Sequence, residues 1–138
     1  MSSAIFISHS SRDSDFVGRL RQSLDAKGYY HLFASRELRS REETLDAIYQ
    51  KIETARAFIV VVSPDAFNSA WVAEETRYAA QVKKRREDGY PVVPLLREGV
   101  ELGALKWLFI ENPLAIRVGK GTGGIKKAIP MVLRALGA

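Results

Sequence analysis

Phe58-Ile-Val-Val-Val62 is the clearest strand of this chain. Every residue in it is apolar and most are β-branched, which is typical of a strand that is covered on both faces. A turn-rich linker, Ser63-Pro-Asp-Ala-Phe-Asn68, follows, and Asn68 and Ser69 are residue types that cap helices. The pattern therefore predicts a strand, a short loop and then a helix from about Ala70 to Arg86.

The predicted helix carries one carboxylate in an apolar setting. At about 100° per residue, its apolar residues fall on one arc: Trp71, Val72, Tyr78, Ala79 and Val82. Glu75 lies in the middle of that arc, one turn after Trp71. Because burying an unpaired carboxylate is costly, Glu75 is expected to be paired with an Arg from a neighbouring element, neutralised, or used at a site. Spacing alone favours the ion pair, since structural ion pairs are common.

Strands and helices alternate along the rest of the chain. Apolar runs predict strands at residues 4–8, 29–33, 58–62, 92–96 and 114–118. Helical spacing predicts helices at 16–24, 44–55, 70–86 and 125–136, with a loop at 34–42 and a short helical turn at 105–110. Pro130 predicts a kink or a late start in the last helix. The alternation predicts an α/β fold: a flavodoxin-like three-layer sandwich whose five-stranded parallel sheet has the order 2-1-3-4-5, with helices on both faces.

This topology predicts where a ligand binds. Such sheets bind ligands at the switch point, the place where the strand order reverses. It lies beyond the carboxyl ends of the first and third strands. In this chain those ends lead into Ser8-His-Ser-Ser-Arg12 and residues 63–69. Glu75 lies early in the helix that leaves the second of these loops. The topology therefore favours a functional site at Glu75 over a structural ion pair.

Composition bounds the class of protein. The 138 residues, 46% hydrophobic and 27% charged, are typical of one soluble globular domain over 1–138, either complete or the N-terminal part of a larger protein. No membrane-spanning run or signal peptide is present in the sequence, which predicts cytoplasmic residence. The absence of cysteine excludes disulfides and thiolate chemistry. A net charge of +5 permits attraction to anions, although the basic run 83–86 is expected to be a solvated helix end rather than a nucleic-acid site.

Several familiar sites are excluded by their missing motifs. The glycine-rich segment 119–124 follows the last strand and lacks the dinucleotide fingerprint, so it is expected to be a flexible loop. No phosphate loop of the GxxxxGK[ST] type is present. The first strand ends in Ser8 and His9, not in the acidic cluster of a phosphoacceptor receiver domain. His9 and His31 are too few for a metal site, and His9 is expected to be a hydrogen-bonding loop residue.

Four segments together resemble a TIR (Toll/interleukin receptor) domain of the bacterial, NAD-cleaving type. They are Ile5-Phe-Ile-Ser-His9, the charged loop 35–42, the strand 58–62 and Ser69-Ala-Trp-Val-Ala-Glu-Glu75. The most specific parts are the F-I-S-[HY] end of the first strand and the W-x-x-x-E spacing of Trp71 and Glu75. The resemblance covers essentially the whole chain. It departs from the family in the loop 35–42, where many members carry a Pro-Gly pair and this chain has neither residue.

The resemblance implies an enzyme that cleaves NAD⁺ between nicotinamide and ribose, as a glycohydrolase or an ADP-ribosyl cyclase, in bacterial antiphage immunity. Glu75 matches the catalytic carboxylate, and NAD⁺ is the substrate, so that no cofactor or metal is expected. The residues that match the border of the substrate cleft are Phe6, Ser8, His9, Ser10, Ser35, Arg36 and Trp71. Self-assembly with other TIR domains, including into filaments, is implied as well, without nucleic-acid or membrane contact. The alternatives are a non-enzymatic TIR–TIR interaction module and a nucleoside-processing transferase of similar topology.

The chemistry of NAD⁺ suits a single carboxylate. The nicotinamide leaves as a neutral molecule, so no strong general acid is needed, and the transition state has oxocarbenium character at the ribose. A carboxylate near that developing positive charge stabilises it. Apolar surroundings favour the protonated acid, whereas this role needs the carboxylate anion. A bound cationic nicotinamide ribose would favour the anion. Arg12, Arg36 and Arg39 are candidate partners of the pyrophosphate. Hydrolysis or cyclisation, and NAD⁺ or NADP⁺, remain open.

Overall fold

A parallel β-sheet forms the centre of the molecule. The computed structural model describes residues 4–29, 32–34, 45–86, 89–101, 103 and 115–137. Among these residues, the sheet has the strand order β2-β1-β3-β4-β5, and all four neighbouring pairs are parallel. The strands are β1 (Ile5–Ser8), β2 (Leu32–Ala34), β3 (Ala57–Val62), β4 (Val92–Leu96) and β5 (Ile116–Arg117).

Helices cover both faces of this sheet. The described part of the chain contains α1 (Ser14–Asp25), α2 (Leu45–Thr54), α3 (Ala70–Arg85) and α4 (Gly121–Ala135). Single turns of 3₁₀-helix at Ser11–Asp13 and Pro64–Asn68 lead into α1 and α3. Residues of α1 and α4 share one apolar cluster with the sheet, and residues of α2 and α3 share the other.

The pattern of β3 explains why the sheet lies between two layers. Successive side chains of a strand point to opposite faces. Ile59 and Val61 accordingly pack in the cluster with α1 and α4, whereas Phe58, Val60 and Val62 pack in the cluster with α2 and α3. All six residues of β3 are buried. The prediction of an α/β fold with a parallel sheet is therefore confirmed.

The local signals at the ends of the helices are also confirmed. Ser69 caps α3, where its Oγ accepts a hydrogen bond from the backbone N–H of Val72 at 3.2 Å. Gly28, three residues beyond the end of α1, has φ +92°, a conformation that glycine adopts readily after a helix. Among the described residues, β2 is Leu32–Ala34, one residue beyond the predicted end at 33, and Tyr29 lies outside it. The last strand is shorter than predicted.

The start of α4 corrects one prediction and narrows another. The helix begins at Gly121, so residues 121–124 are helical instead of a flexible loop. Pro130 lies within the helix, which excludes the late start and leaves the kink as a prediction. The physical reason is a close backbone approach at Gly124. A Cβ atom there would lie 2.1 Å from the carbonyl oxygen of Gly119, so that only glycine fits at position 124 of this first turn.

The basic run 83–86 is more engaged than predicted. Lys83 Nζ donates to the carbonyl of Tyr90 at 3.1 Å, and Arg86 donates to the carbonyl of Ala55 at 2.7 Å. Arg85 forms a 2.7 Å ion pair with Glu53. These contacts tie the end of α3 to the end of α2 and to the chain that enters β4, so the run is not simply a solvated helix end.

Some predictions fall on residues that the structure does not describe. They are the loop 35–42 with Ser35, Arg36 and Arg39, His31, and the helical turn 105–110. Within the described ranges, no helix is long and apolar enough to cross a membrane. Nor do the described residues contain a group of three His, Cys, Asp or Glu side chains that could hold a metal ion.

Candidate active site

Glu75 is the central residue of the site. It lies in the second turn of α3 and is fully buried. The hydroxyl of Ser8 donates a 2.8 Å hydrogen bond to Glu75 Oε1. Ser8 is the last residue of β1, and its register partner on β3 is Val60. The carboxylate is therefore held at the carboxyl end of β1, beside β3, where the strand order predicts a ligand site.

The Ser8 hydroxyl bears on the charge of Glu75. A hydrogen bond donated to a carboxylate favours its ionised form, which opposes the effect of apolar surroundings. Both atoms of this contact are buried, so the hydrogen bond is not weakened by competing solvent. This hydrogen bond is thus one contribution toward the anion that chemistry at a developing cation needs.

The aromatic residues near Glu75, Trp71 and Phe6, differ in how far they are buried. Trp71, one turn earlier on α3, is half-buried and packs against the α2–α3 side of the core. Phe6 is fully buried and stacks on Phe58, with ring centroids 5.7 Å apart and planes at 6°. Phe6 therefore supports the carboxyl end of β1 from the core, whereas Trp71 keeps part of its surface exposed. The predicted contacts of both with a substrate stay predictions.

The segment that follows β1 is ordered by its own hydrogen bonds. His9 and Ser10 are both buried, and His9 Nδ1 lies 2.8 Å from the Ser10 carbonyl oxygen. Because a carbonyl only accepts, Nδ1 carries the proton in this contact. The Ser10 hydroxyl accepts a hydrogen bond from the backbone N–H of Arg12 at 3.2 Å and so caps the 3₁₀ turn. His9 is thus a hydrogen-bonding loop residue in this structure, as the sequence predicted.

A second set of side chains joins the loops at the same edge of the sheet. Asp13 is 1% exposed. Ser63, directly after β3, donates to Asp13 Oδ2 at 2.6 Å, and Arg97, directly after β4, donates to Asp13 Oδ1 at 2.8 Å. The Arg97 guanidinium also lies over the Phe16 ring, 4.6 Å from its centroid. We call Asp13, Ser63 and Arg97 the Asp13 cluster.

The Asp13 cluster was not predicted from the sequence. Each member follows the carboxyl end of a different strand, β1, β3 or β4, and parallel strands bring those ends to one edge. The position of each residue shortly after a strand was the sequence signal that could have pointed to the cluster. Which of the many polar residues in these loops point inward is not a property of local spacing, so the cluster could not be singled out.

Arg12 lies at the outer rim of the same edge. Its Nε is 3.9 Å from Asp65 Oδ1, and the two side chains are 79% and 48% exposed. A pair this exposed and this long contributes little to stability. Arg12 is therefore a solvated cation beside the loop after β3, whereas the other candidate pyrophosphate partners, Arg36 and Arg39, lie outside the described residues.

The shifted pKa values belong to the contact between α2 and α3. The Tyr49 and Tyr78 rings stack with centroids 4.2 Å apart. A hydrogen bond from Tyr49 to Glu74, together with burial, raises the pKa of Tyr49 to about 12. Hydrogen bonds from Arg85 and Tyr78 lower the pKa of Glu53. Burial, and then the hydrogen bond to Glu53, raise the pKa of Tyr78. These groups are paired with one another and serve the packing of two helices.

Comparisons with known proteins agree with this architecture. The TIR domain family matches residues 5–116. A comparison with curated protein sequences gives no match. The TIR domains of the activated Roq1 resistosome, which directly recognises the pathogen effector XopQ, superpose with a TM-score of 0.64 at 21% identity, over 98% of this chain and 80% of that chain.

Two further solved structures have the same fold. A metazoan TIR-STING receptor from C. gigas, in complex with 2′,3′-cGAMP, gives a TM-score of 0.66 at 23% identity over 96% of this chain. The match spans only 38% of that receptor. The Clostridium botulinum CMP N-glycosidase BcmB gives a TM-score of 0.52 at 18% identity, over 95% of this chain and 98% of that chain.

Proposed function

This chain belongs to the TIR domain family, and on that premise we propose that it is an NAD⁺ nucleosidase. In this proposal Glu75 is the catalytic carboxylate, and the bond between nicotinamide and ribose is the one that breaks. The observation that carries the proposal is the buried Glu75 carboxylate at the switch point, with the Ser8 hydroxyl 2.8 Å from Oε1. A buried ionisable group at this edge of the sheet is a candidate for a functional site.

The proposed reaction needs few groups. The electron pair of the C–N bond leaves with nicotinamide, which departs neutral, while positive charge develops at the ribose. The Glu75 anion stabilises that charge electrostatically. Water then adds to the ribose carbon and loses a proton to solvent, which yields ADP-ribose. Attack by the adenine of the same molecule would instead yield cyclic ADP-ribose.

The surroundings of Glu75 have proposed roles in binding. Trp71, which is only partly buried, is proposed to stack on a base or to form a wall of the pocket. Ser35, Arg36 and the solvated Arg12 are proposed contacts of the ribose and pyrophosphate. Ser8, His9 and Ser10 are buried, and we assign them to the shape of the loop beneath the ligand. Phe6 supports that loop through its stacking on Phe58.

The test compares two neighbouring glutamates. Glu75→Gln removes the proposed catalytic carboxylate, and Glu74→Gln makes the same change one residue earlier, at a side chain that accepts from Tyr49 and pairs with Arg77. Nicotinamide release from NAD⁺ and from NADP⁺ is measured at a protein concentration that promotes assembly. We expect release by the wild type and by Glu74→Gln, and a loss of at least about 100-fold in Glu75→Gln. The proposal is wrong if the wild type is no faster than Glu75→Gln.

Two further measurements separate the alternatives. Chromatography of the products distinguishes ADP-ribose from its cyclic form. Because one protein of the same fold is a CMP N-glycosidase, release of cytosine from CMP is assayed in parallel. Cytosine release that depends on Glu75, without nicotinamide release, would replace NAD⁺ by a pyrimidine nucleotide as the substrate.

Assembly with other TIR domains is the second proposed function. The structure of the Roq1 resistosome contains TIR domains in an assembly, which favours this property for a chain of the same family. In a bacterial antiphage system, assembly would activate NAD⁺ depletion or produce a signal. Light scattering of the wild type and of Glu75→Gln separates the two functions. A purely non-enzymatic module would assemble without turnover, and Glu75→Gln would leave its signalling intact.

A further inference from the structure

Two side-chain bridges span the switch point of the sheet. On the α3 side, Ser8 donates to Glu75. On the α1 side, Ser63 donates to Asp13. Both bridges involve the segment between β1 and α1, which carries Ser8 at its start and Asp13 at its end. The position of this segment is therefore defined at both ends by contacts with other elements.

Asp13 connects this segment to two other loops. A carboxylate that is 1% exposed needs hydrogen-bond donors, and Ser63 and Arg97 supply them from the ends of β3 and β4. Hydrogen bonds to an ionised group are the stronger ones, and the guanidinium holds its partner in a defined geometry. Arg97 is in turn held over the Phe16 ring. The Asp13 cluster thus locks the loops after β1, β3 and β4 together.

The segment between the two bridges transmits this constraint. The backbone N–H of Asp13 donates to the Ser10 carbonyl at 2.9 Å, and that same oxygen faces His9 Nδ1 at 2.8 Å. Ser8, His9 and Ser10 are all buried. A displacement of Asp13 would therefore move a hydrogen-bonded, close-packed segment that ends at the donor to Glu75.

We propose that Asp13 is a positioning residue of the active site: anchored by Ser63 and Arg97, it holds the segment after β1 so that Ser8 keeps the Glu75 carboxylate in place. This inference rests on the proposed NAD⁺ cleavage. Asp13 itself touches neither the carboxylate nor, in this proposal, the substrate. Its effect on the reaction is geometric, and misplacement of a catalytic group by about 1 Å costs on the order of 100-fold in rate.

The competing explanation is that the Asp13 cluster only stabilises the fold. The two are distinguished by kinetic constants and by a spectroscopic signature of Glu75, both measured on folded protein. Asp13→Asn keeps the size of the side chain and its acceptor for Ser63 but removes the charge that pairs with Arg97. The matched control is Glu53→Gln, which breaks an ion pair of nearly the same length, 2.7 Å, between the ends of α2 and α3.

The experiment measures nicotinamide release and the ¹³C chemical shift of the Glu75 carboxyl carbon, assigned by its absence from Glu75→Gln. For Asp13→Asn we expect kcat to fall about 10- to 100-fold with little change in KM, because the catalytic carboxylate is misplaced while substrate contacts remain. We also expect the carboxyl signal to shift. Glu53→Gln is expected to keep both the kcat and the signal of the wild type.

Each outcome decides between the explanations. If folded Asp13→Asn keeps the kcat and the carboxyl signal of the wild type, or loses no more kcat than Glu53→Gln, the positioning role is refuted and the proposed function stands. If the wild type releases no nicotinamide, both proposals fail together. Should Asp13→Asn not fold, Arg97→Lys replaces it, since lysine keeps the charge but loses the planar fork of donors. For Arg97→Lys we then expect kcat to fall less than in Asp13→Asn, again at unchanged KM.

Discussion

The hydroxyl of Ser8 donates a 2.8 Å hydrogen bond to the carboxylate of Glu75, although 67 positions separate the two residues in the sequence. One lies at the carboxyl end of β1 and the other on the helix that follows β3. These two strands are neighbours at the point where the order of the sheet reverses. The hydrogen bond thus joins the two elements that flank the ligand site predicted at this edge of the sheet.

Removing the Ser8 hydroxyl is expected to slow the reaction. Ser8→Ala leaves the buried carboxylate without this donor, and a hydrogen bond to a charged group contributes about 1.5–3 kcal/mol. We expect kcat/KM for nicotinamide release to fall about tenfold or more. Ser14→Ala is the matched control, because Ser14 is exposed and its hydroxyl bonds only to the Ser11 carbonyl in the described contacts. Equal rates for Ser8→Ala and the control would contradict a role for this hydrogen bond.

Removing Arg97 is expected to destabilise the fold. Arg97→Gln leaves the carboxylate of Asp13, which is 1% exposed, with the Ser63 hydroxyl but without its cation. The free energy of unfolding is expected to fall by about 1–3 kcal/mol, as measured by urea denaturation. Arg77→Gln breaks the exposed 3.9 Å pair with Glu74 and is expected to cost less than about 1 kcal/mol. Similar losses in the two variants would show that the Asp13 cluster is no stronger than a surface pair.

Glu53 is expected to make stability depend on pH. Its pKa in the folded protein is lowered from the ordinary 4.5, first by the hydrogen bond from Arg85 and then by that from Tyr78. A group with a lowered folded pKa stabilises the fold fully above its unfolded pKa, and the contribution is lost as the pH falls through the folded value. The difference in unfolding free energy between the wild type and Glu53→Gln should therefore be largest near pH 7 and shrink below pH 4.5.

Urea denaturation of both proteins between pH 7 and pH 3 checks this expectation. Glu101→Gln, at an exposed position, controls for the loss of one negative charge. A difference that stays constant over the whole range would mean that Glu53 does not contribute through its ionised form.

Two glycines at the start of α4 are expected to respond in opposite directions to alanine. In Gly124→Ala the new Cβ would lie 2.1 Å from the Gly119 carbonyl oxygen, which forces the backbone apart. At Gly123 nothing lies within 4 Å of the Cβ position, and alanine is the better helix former by about 0.8–1.0 kcal/mol. Thermal unfolding should show a lower melting temperature for Gly124→Ala and an unchanged or higher one for Gly123→Ala. A higher melting temperature for Gly124→Ala would disprove the close approach.

Local patterns in the sequence were sufficient to predict the fold class and to identify Glu75 as a candidate site residue. The apolar run of β3, the cap at Ser69 and the helical arc around Glu75 are properties of neighbouring residues, because strand and helix periods depend only on backbone geometry. The alternation of strands and helices then limits the topology to a few arrangements. The position of Glu75 beside the switch point follows from those two facts.

The partners of the buried polar groups required the three-dimensional structure. Ser8 and Glu75, or Asp13, Ser63 and Arg97, meet only because parallel strands bring distant loops to one edge of the sheet. The start of α4 likewise depends on the backbone of Gly119 approaching Gly124, a contact that no helix propensity contains. Periodicity in the sequence thus identified Glu75 as a carboxylate on an apolar helix face. Tertiary packing supplied the Ser8 hydroxyl that holds it, at the end of a strand whose following segment is anchored through Asp13.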